Sequence, residues 1–133
     1  MKQILLMIAL VVGQSVLAAD KKPLTKEESA KVIEAAIRKS LNKPTGELTK
    51  ADLEKVRELD LQYNRLTSVK GLENLSKLER LFLEGNQLTD VKGLEKLTHL
   101  TELNIYYNKL TKAQIAELQK ALPNCSISSN PMK

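Results

Sequence analysis

The chain has 133 residues, one domain's worth, with 21 Lys and Arg against 16 Asp and Glu and a formal charge of +5. Its basic residues are interspersed with acids, whereas a nucleic-acid binder concentrates positive charge in a patch or stripe, so no nucleic-acid partner is expected. The single cysteine, Cys125, excludes an internal disulfide.

The chain opens MKQILLMIALVVGQSVLAAD. Lys2, the apolar run Ile4 to Val12, and Val16 and Ala18 at the two recognition positions predict a signal peptide over residues 1–18, cleaved before Ala19. The apolar run is short and is broken by Gly13-Gln14-Ser15, so it does not suit a membrane span. The alternative is an uncleaved N-terminal anchor. The expectation is an exported protein, secreted or periplasmic, with no membrane span after signal removal.

Residues 19–55 read as a polar lead and a helical N-terminal cap. Thr25, with Glu28 three residues on, forms a reciprocal helix-start pattern. Ala30, Ile33, Ile37 and Leu41 then recur at helical spacing, giving one apolar stripe. Pro44 and Gly46 end that helix. A second short helix starts at Thr49, with Asp52 as its capping partner and Leu53 facing inward. Neither helix can form a core alone, so both are expected to close the end of something larger.

From Val56 the pattern changes. Asn64, Asn86 and Asn108 follow one another at intervals of 22 residues. Each sits in the same frame: Leu59, Leu61, Asn64, Leu66; then Leu81, Leu83, Asn86, Leu88; then Leu103, Ile105, Asn108, Leu110. The connecting segments LTSVKGLENLSK and LTDVKGLEKLTH are near-copies. Leu122, Cys125, Ile127, Asn130 and Met132 continue the beat, which places Cys125 inward in a leucine slot. The third connection, LTKAQIAELQKALPN, instead predicts a helix, with Thr111 and Gln114 as a capping box and Ile115, Leu118 and Leu122 on one face. A fixed period with fixed apolar slots marks stacked repeats, and an atypical last unit closes the apolar end of the stack.

Within residues 56–133, read as the repeats with their C-terminal cap, the stretch from about Val56 to Met132 resembles leucine-rich repeats of the short, 22-residue kind found in internalin-like bacterial surface proteins. The KPTGELTKADLEKV stretch resembles the helical cap that precedes such repeats. The resemblance implies an α/β fold: a short solenoid with parallel strands on its concave face, an N-terminal helical cap and a C-terminal helix. A long repeat array and a C-terminal wall-anchoring sequence are missing, so a role in host-cell adhesion is not carried over. Where each coil bends back, buried backbone groups need partners, and a side-chain amide offers both donor and acceptor. The resemblance implies that Asn64, Asn86 and Asn108 form such a ladder, with Asn130 next in the series.

Leu-x-Leu alternation turns the intervening residues to the opposite face of each strand. The outward set is Glu58, Asp60, Gln62 and Tyr63; Arg80, Phe82, Glu84 and Gly85; Glu102, Asn104, Tyr106 and Tyr107. All four aromatic residues of the chain fall in this set, as do four acids against one base. Such a face suits recognition of a protein or peptide with exposed basic residues. The alternative is cross-strand aromatic packing that only stabilises the sheet. An enzyme is not expected: His99 lies in a connecting turn, and Glu58, Glu84 and Glu102 form a row on an open, hydrated sheet without the burial that tunes a catalytic acid. No metal or cofactor site is expected, since these acids come from separate strands without a metal-binding loop, and the Gly71 and Gly93 contexts are repeat turns. The chain is expected to be a monomer or weakly self-associating; the other class of function is a structural, self-associating component of the cell envelope.

Overall fold

The computed structural model describes residues 22–130; the expected signal peptide and Met132 lie outside the described residues. Helix α1 runs Lys26–Leu41. The Thr25 hydroxyl accepts the Glu28 N–H (3.1 Å), and the Glu28 carboxylate accepts the Thr25 N–H (2.9 Å). Glu27 and Glu28 near its start and Arg38 and Lys39 near its end oppose the helix dipole. The chain leaves through Asn42 in the left-handed conformation (φ 55°).

The buried stripe of α1 differs from the one expected. It is Ser29, Ile33 and Ile37; Ala30 is exposed and Leu41 only partly buried. These three residues recur every fourth position, a row that lies along one helix face, and Ser29 is there for hydrogen bonding. Its hydroxyl accepts the Thr67 N–H at 3.0 Å, while the Thr67 hydroxyl donates to the Leu24 carbonyl at 2.8 Å. A polar pin thus fixes the cap to the first coil. Helix α2, the single turn Lys50–Leu53, carries the Thr49/Asp52 capping box, and Leu53 packs partly buried against the core.

Strands β1 (Glu58–Asp60), β2 (Arg80–Phe82), β3 (Glu102–Asn104) and β4 (Ser126–Ser128) form one parallel sheet in sequence order. Leu59, Leu81, Leu103 and Ile127 pair across it. The first two coils return through 3-10 turns, Leu72–Asn74 and Leu94–Lys96, each entered by a glycine at φ 105° or 107° (Gly71 and Gly93). The third returns through α3, Lys112–Ala121, with the Thr111/Gln114 capping box, Leu118 buried and Ile115 partly so. One continuous core runs from Ile33 in the cap to Cys125. Leu72, Leu75, Leu78, Leu81, Leu83, Leu88, Leu94, Leu97 and Leu103 are all 0 % exposed, each contributing roughly 1.5–3 kcal/mol relative to an exposed leucine.

The last coil breaks the expected beat. Glu102 pairs with Ser126, a step of 24 residues (102 to 126), where Glu58 to Arg80 and Arg80 to Glu102 are steps of 22. Helix α3 uses more chain than a 3-10 turn, so the slots shift. The Leu122 carbonyl accepts the Cys125 N–H just as the Leu97 carbonyl accepts that of Leu100. Leu122 therefore takes the place of Leu97, Cys125 that of Leu100, and Ile127 that of Leu103. Cys125 is buried all the same, and burial raises its thiol pKa.

At the bends, the Asn86 carboxamide makes four bonds. Its oxygen accepts from Asn64 N–H and Leu66 N–H, both 3.0 Å, and its amide donates to the Leu61 and Leu83 carbonyls, both 2.9 Å. Asn108 repeats this one coil on, accepting from Leu88 N–H (3.0 Å) and donating to Leu83 O (2.9 Å) and Ile105 O (3.3 Å). Each carboxamide serves the coil that precedes it. The Asn64 side chain, in the first coil, makes only the local bond to Gln62 O among the described residues. The Asn130 oxygen also reaches back, but to Tyr107 N–H, not to the amides of Asn108 or Leu110.

Two predictions follow from these contacts. Asn86→Ala strips partners from Asn64 N–H, Leu66 N–H and Leu61 O, at about 1–3 kcal/mol per buried group. Urea unfolding should show a loss of at least about 3 kcal/mol, against about 1 kcal/mol for Asn64→Ala; equal losses would show that the inter-coil bonds carry little. The second concerns Asp52, whose carboxylate accepts from Lys43 Nζ (2.7 Å) and Thr49 N–H (3.0 Å). The Lys43 bond first, then the Thr49 bond, lowers its pKa from 3.8 to about 2. A lowered carboxylate pKa stabilises the fold above pH 3.8, and that contribution fades as pH falls through about 2. Asp52→Asn should remove this part of the acid sensitivity, read as a smaller drop in Tm between pH 4 and pH 2; an unchanged drop contradicts it.

Candidate binding surface

The parallel register sets the outward side chains in rows. Glu58, Arg80, Glu102 and Ser126 form one; Asp60, Phe82, Asn104 and Ser128 the next. Backbone pairing continues beyond the strands, through Tyr63 N–H to Glu84 O (2.9 Å) and Gly85 N–H to Tyr106 O (3.0 Å). Hence Gln62, Glu84 and Tyr106, and then Tyr63, Gly85 and Tyr107, extend the rows along one side. Tyr63 and Tyr107 are 65 % and 62 % exposed and Tyr106 is 36 % exposed, while Phe82 is half-buried in the middle of the face. The Tyr106 and Tyr107 rings are in contact, with centroids 6.0 Å apart and planes tilted by 38°.

The acids of this face have distinct surroundings. Glu58 reaches Arg80 in the next strand at 3.5 Å, a half-exposed pair worth at most about 1 kcal/mol. Asp60 Oδ1 accepts the Gln62 N–H (3.1 Å) and side-chain amide (2.9 Å), closing the bend after β1. Asn104 Oδ1 does the same for Tyr106 N–H at 3.0 Å. Glu84 is gripped at both oxygens: Tyr63 OH donates to Oε2 (2.9 Å) and Asn104 Nδ2 to Oε1 (3.2 Å). Among the described residues Glu102 has no ion-pair partner.

The position just before Asn64, Asn86 and Asn108, which the repeat frame leaves free to vary in type, carries a backbone constraint. Tyr63, Gly85 and Tyr107 occupy it with φ 55°, 74° and 56°. This is the left-handed region that a side chain resists and glycine accepts. The bend imposes the conformation, and the sequence hinted at it only through Gly85. The glycine also makes room: a Cβ there would lie 2.2 Å from Cδ1 and Cε1 of Tyr63. The Tyr63 ring therefore rests against the bare Gly85 backbone, held at its far end by Glu84. That hydrogen bond is the main cause that raises the phenol pKa of Tyr63 above its ordinary 10.0.

Away from this face, two depressions of about 430 and 530 Å³ lie among the return segments, lined by residues such as Asp90, Lys92 and Glu95. Neither contains a histidine or cysteine. His99 sits in its turn, exposed, with Nδ1 at 3.1 Å from the Ser76 carbonyl. Among the described residues no three His, Cys, Asp or Glu side chains converge as a metal site would need. No helix among them is long and apolar enough to cross a membrane.

The Tyr63 arrangement is directly testable. Glu84→Gln removes the charged acceptor, so the phenol pKa of Tyr63 should fall back toward 10.0, read by ultraviolet difference titration of tyrosinate; an unmoved titration contradicts the bond. Gly85→Ala should cost roughly 1–2 kcal/mol through its left-handed backbone and displace the ring.

Comparison with known proteins agrees with this architecture. The family described as "Leucine Rich repeats (2 copies)" matches residues 54–96 and 76–124, together more than half of the chain. No curated protein sequence matches. Among solved structures, an internalin from Listeria monocytogenes is 31 % identical with TM-score 0.64, the match covering 73 % of this chain and 28 % of that one. Internalin C2 from the same organism is 27 % identical with TM-score 0.65, covering 72 % and 42 %. A leucine-rich repeat protein from Leptospira interrogans is 34 % identical with TM-score 0.53, covering 61 % and 22 %. The chain thus spans less than half the length of each of these proteins. With the stacked parallel strands and the capping helices, these matches make the chain a member of the leucine-rich repeat family, of internalin-like build.

Proposed function

We propose that this leucine-rich repeat module binds a protein or peptide partner through its concave strand face, and that the partner presents basic residues there. The observation that carries the reading is the segregation of chemistry. All four aromatic residues of the chain stand on the outward rows, with four acids and one base, in a protein whose formal charge is +5. Large rings with few rotors supply contact area at low entropic cost, and the acids select the sign of the partner. Leucine-rich repeat folds serve commonly as protein-interaction modules, and no group on this face is buried or paired in the way that acid–base catalysis needs. We therefore read the protein as a binder and not an enzyme. Its amino-terminal stretch supports export, to the periplasm or the exterior.

The test is a pull-down from the envelope fraction of the source cells. Phe82→Ala combined with Tyr106→Ala, with the far-UV circular dichroism of the fold retained, should lose the partner, a cost of about 2 kcal/mol or more. Undiminished capture overturns the assignment of the face. Light scattering should return a monomer mass; a concentration-dependent oligomer, broken by the same substitutions, would favour the self-associating envelope component instead.

A further inference from the structure

Resting on that reading, the geometry points to one landing site within the face: we infer that Tyr63, backed by Gly85 and rimmed by Glu84, is an arginine-stacking plate. The Tyr63 ring lies against a residue without a side chain, so its inner face is supported by backbone. The bond from its hydroxyl to Glu84 Oε2 at 2.9 Å, and the second grip of Asn104 on Glu84 Oε1 at 3.2 Å, fix the ring and the carboxylate relative to one another. Although anchored at both ends, the tyrosine is 65 % exposed, which leaves its outer face to solvent. Tyr107, 62 % exposed, holds the equivalent position one coil beyond Gly85.

A planar cation suits this pair. A guanidinium can lie flat on the ring by cation–π attraction while an N–H at its edge reaches the remaining lone pairs of the carboxylate. Lysine offers a compact, strongly hydrated charge that cannot stack in that way. A plate already immobilised loses little freedom on binding, which favours a hold on an otherwise exposed site. Charge agrees, since the outward rows hold four acids and Arg80, and Arg80 is occupied by Glu58 at 3.5 Å.

The experiment is a nuclear magnetic resonance titration of the isotopically labelled chain with three capped tripeptides, Gly-X-Gly, in which X is arginine, lysine or citrulline. Citrulline keeps the planar shape and lacks the charge. The arginine peptide should move the amide signals of Tyr63, Glu84 and Gly85 saturably, the lysine peptide more weakly, and the citrulline peptide not at all. Tyr63→Leu should weaken arginine binding about three- to fivefold. Gly85→Ala, which leaves the tyrosine in place but pushes its ring away, should do the same. Equal response to arginine and citrulline, equal response to arginine and lysine, no response, or a response unaffected by Tyr63→Leu overturns the inference. Because the titration needs no partner, its failure is separable from that of the binding face. Loss of capture in the Phe82/Tyr106 double variant with no arginine response removes the plate and keeps the face.

Discussion

The inter-coil carboxamides at the bends, Asn86 buried and Asn108 partly so, are the interaction on which this small solenoid rests. Asn86 is 3 % exposed and uses both its oxygen and its amide group, joining two coils through backbone atoms that have no water to turn to. The Leu83 carbonyl receives both Asn86 and Asn108, each at 2.9 Å, so successive carboxamides share an acceptor. Leucines supply most of the burial energy, yet burial has no direction and does not choose a register. The carboxamides do. They hold adjacent coils one step apart and so bring Leu59, Leu81 and Leu103 opposite one another. Because each reaches backward, the first coil has nothing before it to serve, and the cap takes over through Leu24 N–H to Arg65 O (3.0 Å) and the Ser29–Thr67–Leu24 bonds.

Much of this was legible in the sequence because the code is local and repeated. The Leu-x-Leu slots of the first three coils and the Thr25, Thr49 and Thr111 capping boxes each depend on residues a few positions apart, and these form as read. What escaped depends on distant partners or on chain length. Ser29 displaced Ala30 from the buried stripe because Thr67, 38 residues away, binds its hydroxyl. The final coil kept an Asn on the beat at position 130 while α3 consumed two extra residues, so the strand register slipped even though the motif did not. The left-handed slot before each ladder Asn was hidden because tyrosine, a poor choice by propensity, fills it twice.

The same division of labour frees the concave face. Its side chains lie outside the leucine core and the carboxamide bonds at the bends, and in this chain they carry the aromatic and acidic groups. Several of them are nevertheless fixed in place. Asp60 and Asn104 brace the bends that follow their strands, Glu84 joins Tyr63 to Asn104, and Gly85 makes space for a ring. A surface arranged before any partner arrives loses less entropy in binding it. This is the physical link between the repeat frame and the recognition proposed for it.

Amide hydrogen exchange, resolved residue by residue, tests the central claim most directly. The N–H groups of Asn64, Leu66 and Leu88 donate to side-chain oxygens of the following coil. If those carboxamides are what clamps coil to coil, these three amides exchange as slowly as those of the leucine-rich strands, opening only when the molecule unfolds. Exchange at the pace of exposed loop amides, while the strands stay protected, would mean that the bends are solvated and that packing alone sets the register.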